Sequence, residues 1–242
     1  MTRDEIYASG GTAQPFEFNE QVARVFPDML RRSIPGYTAS LDAIASLAPR
    51  FVRPGSRCYD LGCSLGAAAL AMQHNVTAPG CRVIAVDDAP AMVERCRRRV
   101  ARQARPDGPP VEVRQADIRA TELDDASMAV MNYTLQFLPV GERDGLIRRL
   151  AAELAPGGLL VLSEKVISPD ETFETLLVEL HHEYKRRNAY SDLEISRKRA
   201  ALENVLVPEP VETHLERLVR CGFRHAGVLL RHLNFVTLLA LR

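Results

Sequence analysis

The chain has 242 residues, with 31 Lys and Arg against 31 Asp and Glu, so its formal net charge is zero. A protein dedicated to duplex DNA or tRNA usually carries a basic excess to neutralise phosphates, so we expect a small-molecule ligand and no direct nucleic-acid binding. The five cysteines form no C-x-x-C pair, and no metal site is expected. Because no signal peptide or membrane-length apolar run is present, the sequence predicts a soluble, cytoplasmic protein.

The first 50 residues predict an arm followed by two helices. Residues 1–18 show little periodicity and are expected to form a loose arm or lid. Asn19 is a good N-cap for the first helix, whose apolar face extends as far as Leu30. A second helix is expected over about 38–47, after a Pro-Gly turn.

From Cys58 the pattern changes to short apolar strands that alternate with helices, which is typical of a parallel sheet with right-handed crossovers. Residues 170–206 are helical, charged and longer than one crossover needs, so we interpret them as a lid of two helices inserted over the mouth of the sheet. The prediction is a single α/β domain over 1–242, with a Rossmann-like, mostly parallel, seven-stranded sheet. Strands are expected at 58–61, 82–86, 111–113, 128–131, 159–162, 228–231 and 234–241, and helices at 67–74, 90–102, 142–154 and 211–220.

The segment Asp60-Leu61-Gly62-Cys63-Ser64-Leu65-Gly66 lies where the first strand gives way to a helix. Glycines let the backbone turn sharply there and approach a ligand, and the helix N-terminus offers free N–H groups. Dinucleotide-binding folds use G-x-G-x-x-G, but Ser64 occupies the place of the second glycine. The acidic residue before Gly62 favours a cofactor that carries an amino acid. The alternative is an ordinary strand-to-helix turn.

Three further strands end in polar residues, at the sheet edge where α/β proteins bind ligands. Asp87 can accept hydrogen bonds from two ribose hydroxyls, unless it is only a helix N-cap, a role that Asp88 could fill instead. Asp117 can accept from an adenine amine beside the apolar Ile118, or it is a simple turn residue. Asn132 would lie beside a sulfonium group. Together these positions favour S-adenosylmethionine as the bound molecule.

The reacting groups are less evident, since no titrating base follows Asn132. His181 and His182 lie on the first predicted lid helix and are expected to face solvent. The lid also carries the basic runs 185–187 and 197–199. These are interpreted as a solvated face with pairs such as Glu194 with Lys198 and Arg199 with Glu203, or else as the source of an arginine that holds a substrate carboxylate.

Five longer segments resemble the carboxy-S-adenosylmethionine synthase family, and the similarity extends from about Phe18 to Leu241. These segments are Val25-Phe26-Pro27-Asp28-Met29, Arg32-Ser33-Ile34-Pro35-Gly36-Tyr37, Tyr59-Asp60-Leu61-Gly62-Cys63-Ser64-Leu65-Gly66-Ala67, Asn132-Tyr133-Thr134-Leu135-Gln136-Phe137-Leu138, and Leu193 to Val205.

The resemblance implies a class I S-adenosylmethionine-dependent methyltransferase fold and a carboxylation of the cofactor itself. Prephenate would supply the carboxyl group and become phenylpyruvate, and the product would serve a downstream tRNA carboxymethyltransferase that modifies wobble uridine. The family is homodimeric. The resemblance also implies that Arg199 clamps the carboxylate of the product. It assigns no catalytic base. By match to the family, the cofactor-binding residues are Tyr37, Gly62, Cys63, Ser64, Asp87, Asp88, Asp117, Ile118, Asn132 and Arg199.

Three alternatives remain open from the residues alone. An ordinary methyltransferase acting on a small acidic acceptor explains the same fold and cofactor site, but its product differs. A non-catalytic binding protein would retain the cofactor without turning over prephenate. Nicotinamide-dependent oxidoreduction is disfavoured by the failed glycine spacing.

Overall fold

The computed structural model describes residues 2–8 and 15–242. Within these ranges the chain forms eight α-helices and eight β-strands, and each strand and helix expected from the sequence is present. The helices are α1 Glu20–Ser33, α2 Tyr37–Phe51, α3 Ala67–Asn75, α4 Pro90–Gln103, α5 Val140–Glu153, α6 Glu171–Arg187, α7 Asp192–Leu202 and α8 Val211–Arg220. The strands are β1 Arg57–Leu61, β2 Arg82–Asp87, β3 Val111–Gln115, β4 Ala126–Asn132, β5 Leu154–Ile167, β6 Glu209–Pro210, β7 His225–His232 and β8 Phe235–Leu241.

The strands form one mixed sheet in the order β3-β2-β1-β4-β5-β8-β7. The first five of these are parallel to one another, β8 runs antiparallel to β5, and β7 runs antiparallel to β8. The two-residue β6 also pairs with β5, an addition to the seven predicted strands. Strand β5 begins earlier than expected because the turn over 156–158 is a bulge inside it. Leu154 pairs with Ala126 before the bulge, and Leu159 pairs with Met128 after it.

Both faces of the central strands are buried. Along β1, Cys58 packs into one apolar cluster and Tyr59 into the other, because successive side chains point to opposite faces. One cluster packs against α5 and α8, and the other packs against α2, α3 and α4. Covered on both sides, the sheet holds the carboxyl ends of β1, β2 and β4 in fixed relative positions.

The N-terminal residues 2–8 are held against the rest of the protein and do not form a loose arm. Asp4 is buried; its N–H donates to Asp28 Oδ2 at 2.8 Å, and its carbonyl accepts from Arg32 at 3.0 Å. The prediction of a loose arm is therefore wrong for residues 2–8, because these long-range contacts hold them, while residues 9–14 lie outside the described residues. The Asn19 N-cap is confirmed, since its side chain accepts from Val22 N–H at 3.1 Å.

The expected lid consists of α6 and α7, and α7 begins with a capping box between Ser191 and Glu194. Both helices pack over the carboxyl edge of the sheet together with α1. Among the described residues, no helix has the length and apolarity that crossing a bilayer requires.

Candidate active site

A cavity of about 600 Å³ lies between the carboxyl edge of the sheet and the helices α1, α6 and α7. Its size suits a small organic ligand. Nine of the sequence-predicted site residues line it, namely Tyr37, Gly62, Cys63, Ser64, Asp87, Asp88, Asp117, Ile118 and Asn132.

The loop after β1 turns sharply, as predicted. Gly62 has φ of 79°, and a Cβ there would lie 2.3 Å from Thr134 Cγ2, so any side chain would be both strained and blocked. Asp60 is buried beneath the loop, and its carboxylate accepts from Ala69 N–H in the first turn of α3 at 2.8 Å. Burial raises the pKa of Asp60 to about 7. The carboxylate thus links the strand to the helix and holds the loop open towards the cavity.

Asp87 connects two elements at the end of β2. Its Oδ2 accepts from Ser64 N–H at 2.7 Å, and its Oδ1 accepts from Ala89 N–H at 3.0 Å. Each carboxylate oxygen has a second lone pair for a ligand. Burial raises the pKa of Asp87 to about 6, while Asp88 is exposed at the rim of the cavity. The N-cap of α4 is Ala89, without a side-chain cap, so the interpretation of Asp87 or Asp88 as the helix N-cap is wrong.

Asp117 and Ile118 lie after β3. The Asp117 carboxylate pairs with Arg119 at 2.6 Å, and this contact holds the pKa of Asp117 below its usual range. Ile118 is buried and contributes to the apolar cluster on one face of the sheet. The site therefore offers an ionised carboxylate beside an apolar surface, as the interaction with an adenine ring requires.

Asn132 ends β4 with its amide oxygen buried and without a hydrogen-bond partner among the described residues. Buried polar atoms are normally paired, so this oxygen is available to a ligand. The adjacent Tyr133 has φ of 65° and its ring lies 6.3 Å from that of Tyr37 and 6.0 Å from that of Phe235. These rings continue the cavity wall from the sheet edge towards the lid.

The lid side contradicts the expectation of a solvated face. His181 is buried, its Nε2 lies 2.8 Å from the Ser33 carbonyl oxygen, and its ring meets Phe235 edge-on at 5.0 Å. Burial lowers the pKa of His181 to about 2, so the ring is neutral. His182 is only half-buried. The prediction for His181 was wrong because this face of α6 packs against α1 and β8.

The two basic runs are also divided between the interior and the surface. Lys185 is buried and lines the cavity, whereas the next two arginines are exposed. Lys198 is buried as well: its Nζ donates to Ser33 Oγ at 2.9 Å and to Asp4 Oδ2 at 3.4 Å. The expected pairing with Glu194 was wrong, because that carboxylate accepts from Ser191 in the capping box.

Arg199 lies on α7, exposed, and is not among the residues that line the cavity of a single chain. The expected pair with Glu203 is absent within residues 2–8 and 15–242. Lys165 and Lys185 line the part of the cavity next to α6, which we call the lid end. The positive charge of Arg199 is close to this lid end, since it lowers the pKa of Lys165 and of Lys185 by repulsion. The predicted contact between Arg199 and the ligand stays a prediction.

Sequence reasoning missed Lys165 and Lys185 as cavity residues. Two signals could have found them. Lys165 lies near the carboxyl end of a strand, as the predicted ligand contacts do. Lys185 follows the buried His181 by four residues and therefore shares its helix face.

Comparisons with known proteins agree with this architecture. Residues 59–158 match a family model described as a methyltransferase domain. Human N-acetylserotonin methyltransferase, solved in complex with SAM, superposes with a TM-score of 0.62 at 16% identity over 92% of this chain and 55% of that chain. An O-methyltransferase family protein from Burkholderia thailandensis gives 0.62 at 15% identity over 93% of this chain and 60% of that one. The chain thus spans little more than half of these structures. The fold is that of the class I S-adenosylmethionine-dependent methyltransferases.

Closer relatives define the family. The carboxy-S-adenosyl-L-methionine synthases of Yersinia pestis and Yersinia pseudotuberculosis are each 50% identical to this chain over 241 residues, which cover 99% of it and 90% of their length. The chain belongs to the carboxy-S-adenosyl-L-methionine synthase family. The family resemblance and the fold expected from the sequence are confirmed.

Proposed function

We propose that this chain converts S-adenosyl-L-methionine and prephenate into carboxy-S-adenosyl-L-methionine, phenylpyruvate and water. The identity of 50% over 99% of the chain to synthases of that name carries the proposal. The cavity supports it, because it combines carboxylates at the sheet edge with cations on the lid side.

The sheet edge suits the cofactor group by group. Asp87 would accept the ribose hydroxyls, and Asp117 would accept from the adenine amine while Ile118 packs on the ring. The loop at 62–64 and Asp88 would contact the rest of the cofactor. Asn132 would lie beside the sulfonium, and its buried amide oxygen, which has no hydrogen-bond partner among the described residues, supports such a contact.

The reaction balances without a protein base. Prephenate loses carbon dioxide and hydroxide as its ring becomes aromatic, and the hydroxide takes a proton from the sulfonium methyl group to form water. The resulting ylide carbon attacks the carbon dioxide and forms the new carbon–carbon bond. The positive sulfur stabilises the carbanion, and the walls around Tyr37 and Tyr133 would keep carbon dioxide and ylide together. His181 lines the cavity, but its pKa of about 2 makes it a weak proton acceptor, which agrees with a substrate-derived base.

Arg199 would clamp the new carboxylate of the product with two parallel hydrogen bonds. Its exposed position on α7 means that it must either move inwards or act in the cavity of a second subunit. A homodimer would provide such a second subunit. Cytoplasmic residence and delivery of the product to a tRNA carboxymethyltransferase belong to the same proposal.

The test is a product assay with the purified chain. Incubation with S-adenosylmethionine and prephenate should give, by mass spectrometry, a cofactor heavier by one carbon dioxide together with phenylpyruvate. Use of prephenate labelled with carbon-13 in its ring carboxylate should transfer the label to the cofactor. S-adenosylhomocysteine with a methylated acceptor would instead indicate an ordinary methyltransferase, and tight cofactor binding without turnover would indicate a binding protein.

A further inference from the structure

Two lysines line the lid end of the cavity, and among the described residues neither forms an ion pair with a carboxylate. Lys185 on α6 is only 9% exposed, and Lys165 on β5 is half-buried. Neither ammonium group forms a hydrogen bond or an ion pair within the described ranges 2–8 and 15–242. A buried charge without a partner is costly, so these positions require another explanation.

The neighbouring Lys198 shows what a structural lysine looks like in this protein. It is as deeply buried as Lys185, but it pairs with Asp4 and donates to Ser33 Oγ. That pairing attaches the N-terminal residues to α7. Lys185 has no comparable role, because no carboxylate is among the groups that perturb it.

The charges around Lys185 are all positive. Lys198, Lys165 and Arg199 each lower its pKa by repulsion, in addition to the effect of burial, and bring it to about 7. Among the described residues, Glu174 is the carboxylate that acts on Lys165, and it already accepts from Ser168 N–H at 2.7 Å. The lid end of the cavity is therefore a concentration of positive charge that an anionic ligand would stabilise.

We propose that Lys165 and Lys185 form a subsite for the carboxylate groups of the carboxyl donor. This inference rests on the proposed function and names the residues that hold the second substrate. Lys165 lies on β5 and Lys185 lies on α6. Because the two ammonium groups come from different elements, each would bind a different carboxylate of the same donor molecule. A further cation, Arg99, lines the cavity at the loop after β1, where it donates to Leu65 O at 3.4 Å.

The subsite also favours release of the organic product. The donor enters with two carboxylates and leaves with one, because the other becomes carbon dioxide and then part of the cofactor. A subsite with two ammonium groups therefore holds the donor more tightly than phenylpyruvate.

The test compares Lys185→Met and Lys165→Met with Arg187→Met, an exposed cation on α6 whose side chain is 74% exposed. Calorimetry would measure prephenate binding in the presence of S-adenosylhomocysteine, which lacks the reactive methyl group, and S-adenosylmethionine binding alone. We expect each lysine variant to lose about tenfold or more in prephenate affinity. Cofactor affinity should remain within about twofold of the parent, and Arg187→Met should change neither. The melting temperature of Lys185→Met should not fall, unlike that of a variant lacking a structural lysine.

Several outcomes would overturn the subsite. Unchanged prephenate affinity would do so, as would an equal loss of S-adenosylmethionine affinity, which would assign the lysines to the cofactor. Absence of prephenate binding to the parent protein would also do so. The two proposals can fail separately. If the parent makes the carboxylated cofactor and both variants have an unchanged KM for prephenate, only the subsite is excluded. A parent that binds prephenate through the lysines but makes no product excludes only the proposed reaction.

Discussion

The two ends of the cavity are built in opposite ways. At the sheet edge, Asp60 and Asp87 have raised pKa values because they are buried, yet each accepts backbone N–H groups that hold it in place. At the lid end, Lys185 is buried and Lys165 is half-buried beside other cations, and neither ammonium group has a hydrogen-bond or ion-pair partner within the described part of the chain. The carboxylates of the sheet edge have backbone partners without a ligand, whereas the lysines of the lid end have none among the described residues.

The two sets of side chains are therefore expected to differ in their effects on protein stability and on ligand affinity. The carboxylates connect the loop after β1 to α3 and α4, so removing one harms both the fold and the cofactor site. The lysines oppose folding, because desolvation and repulsion disfavour their charged forms. Their retention is typical of functional groups that a protein keeps at a cost in stability.

The largest effect is expected at the sheet edge. Asp87→Asn keeps the shape of the side chain but removes the charge that accepts from the Ser64 and Ala89 N–H groups and that would, in the proposed complex, accept from the ribose hydroxyls. Since a hydrogen bond to a charged group contributes about 1.5–3 kcal/mol, loss of two such bonds should lower S-adenosylmethionine affinity by about a hundredfold or more. Titration calorimetry measures this. Asp107→Asn, at an exposed position outside the cavity, is the control, and an equal loss there would show that Asp87 has no special role.

Gly62→Ala tests whether the loop backbone itself is required. The new Cβ would occupy a left-handed conformation and lie 2.3 Å from Thr134 Cγ2. Strain and overpacking should together lower the free energy of unfolding by about 2–4 kcal/mol and weaken cofactor binding. Gly55→Ala is the control, since Gly55 has a similar φ of 74° with nothing within 4 Å. If denaturant unfolding gives the same loss for both variants, contact with Thr134 contributes nothing.

Arg199→Ala extends the comparison to the rim of the lid end. If Arg199 grips the product carboxylate, its loss should lower affinity for carboxy-S-adenosylmethionine by about tenfold to a hundredfold. Affinity for S-adenosylmethionine should change little, because that molecule has no carboxylate on its methyl carbon. Calorimetry with both ligands measures the ratio. Equal losses would refute the clamp.

Cofactor affinity should depend on pH through Asp87. Its pKa is raised to about 6 by burial, and hydroxyl donors of the ligand favour the ionised form. Affinity should therefore be constant above about pH 7 and fall by up to about tenfold per unit below about pH 6 as the carboxyl group binds a proton. The buried Asp60, with a pKa of about 7, also titrates in this range. A flat profile for Asp87→Asn would assign the dependence to Asp87, and an unchanged slope would assign it to Asp60.

The smallest effect concerns the stability of Lys185→Met. Burial and repulsion from Lys165, Lys198 and Arg199 lower the pKa of Lys185 from 10.5 to about 7 in the folded protein. Between these values the unfolded chain binds more protons, so the stability of the parent rises with pH. The variant should be more stable at about pH 6, and its advantage should shrink by about pH 9. Thermal unfolding at both pH values tests this, and Arg187→Met should show no such trend.

The sequence alone predicted the α/β fold and that polar residues at the ends of the strands would meet at one edge of the sheet, where they line the cavity. It could do so because these features are local: the turn at Gly62 and the residues at the ends of β1 to β4 occur in chain order, and the topology of parallel strands brings such ends to one edge. The predicted strands differed from the observed ones mainly at their ends, where tertiary pairing decides how far a ladder extends.

Only the tertiary structure determined which side chains of the lid helices face the cavity. Helix periodicity places His181 and Lys185 on one face, but it does not say whether that face meets solvent or the rest of the protein. Contacts between residues distant in the chain, such as Ser33 with His181 and Asp4 with Lys198, turn that face inwards. The environment of a lysine depends on which charges folding brings near it, and that information is not contained in its sequence neighbours.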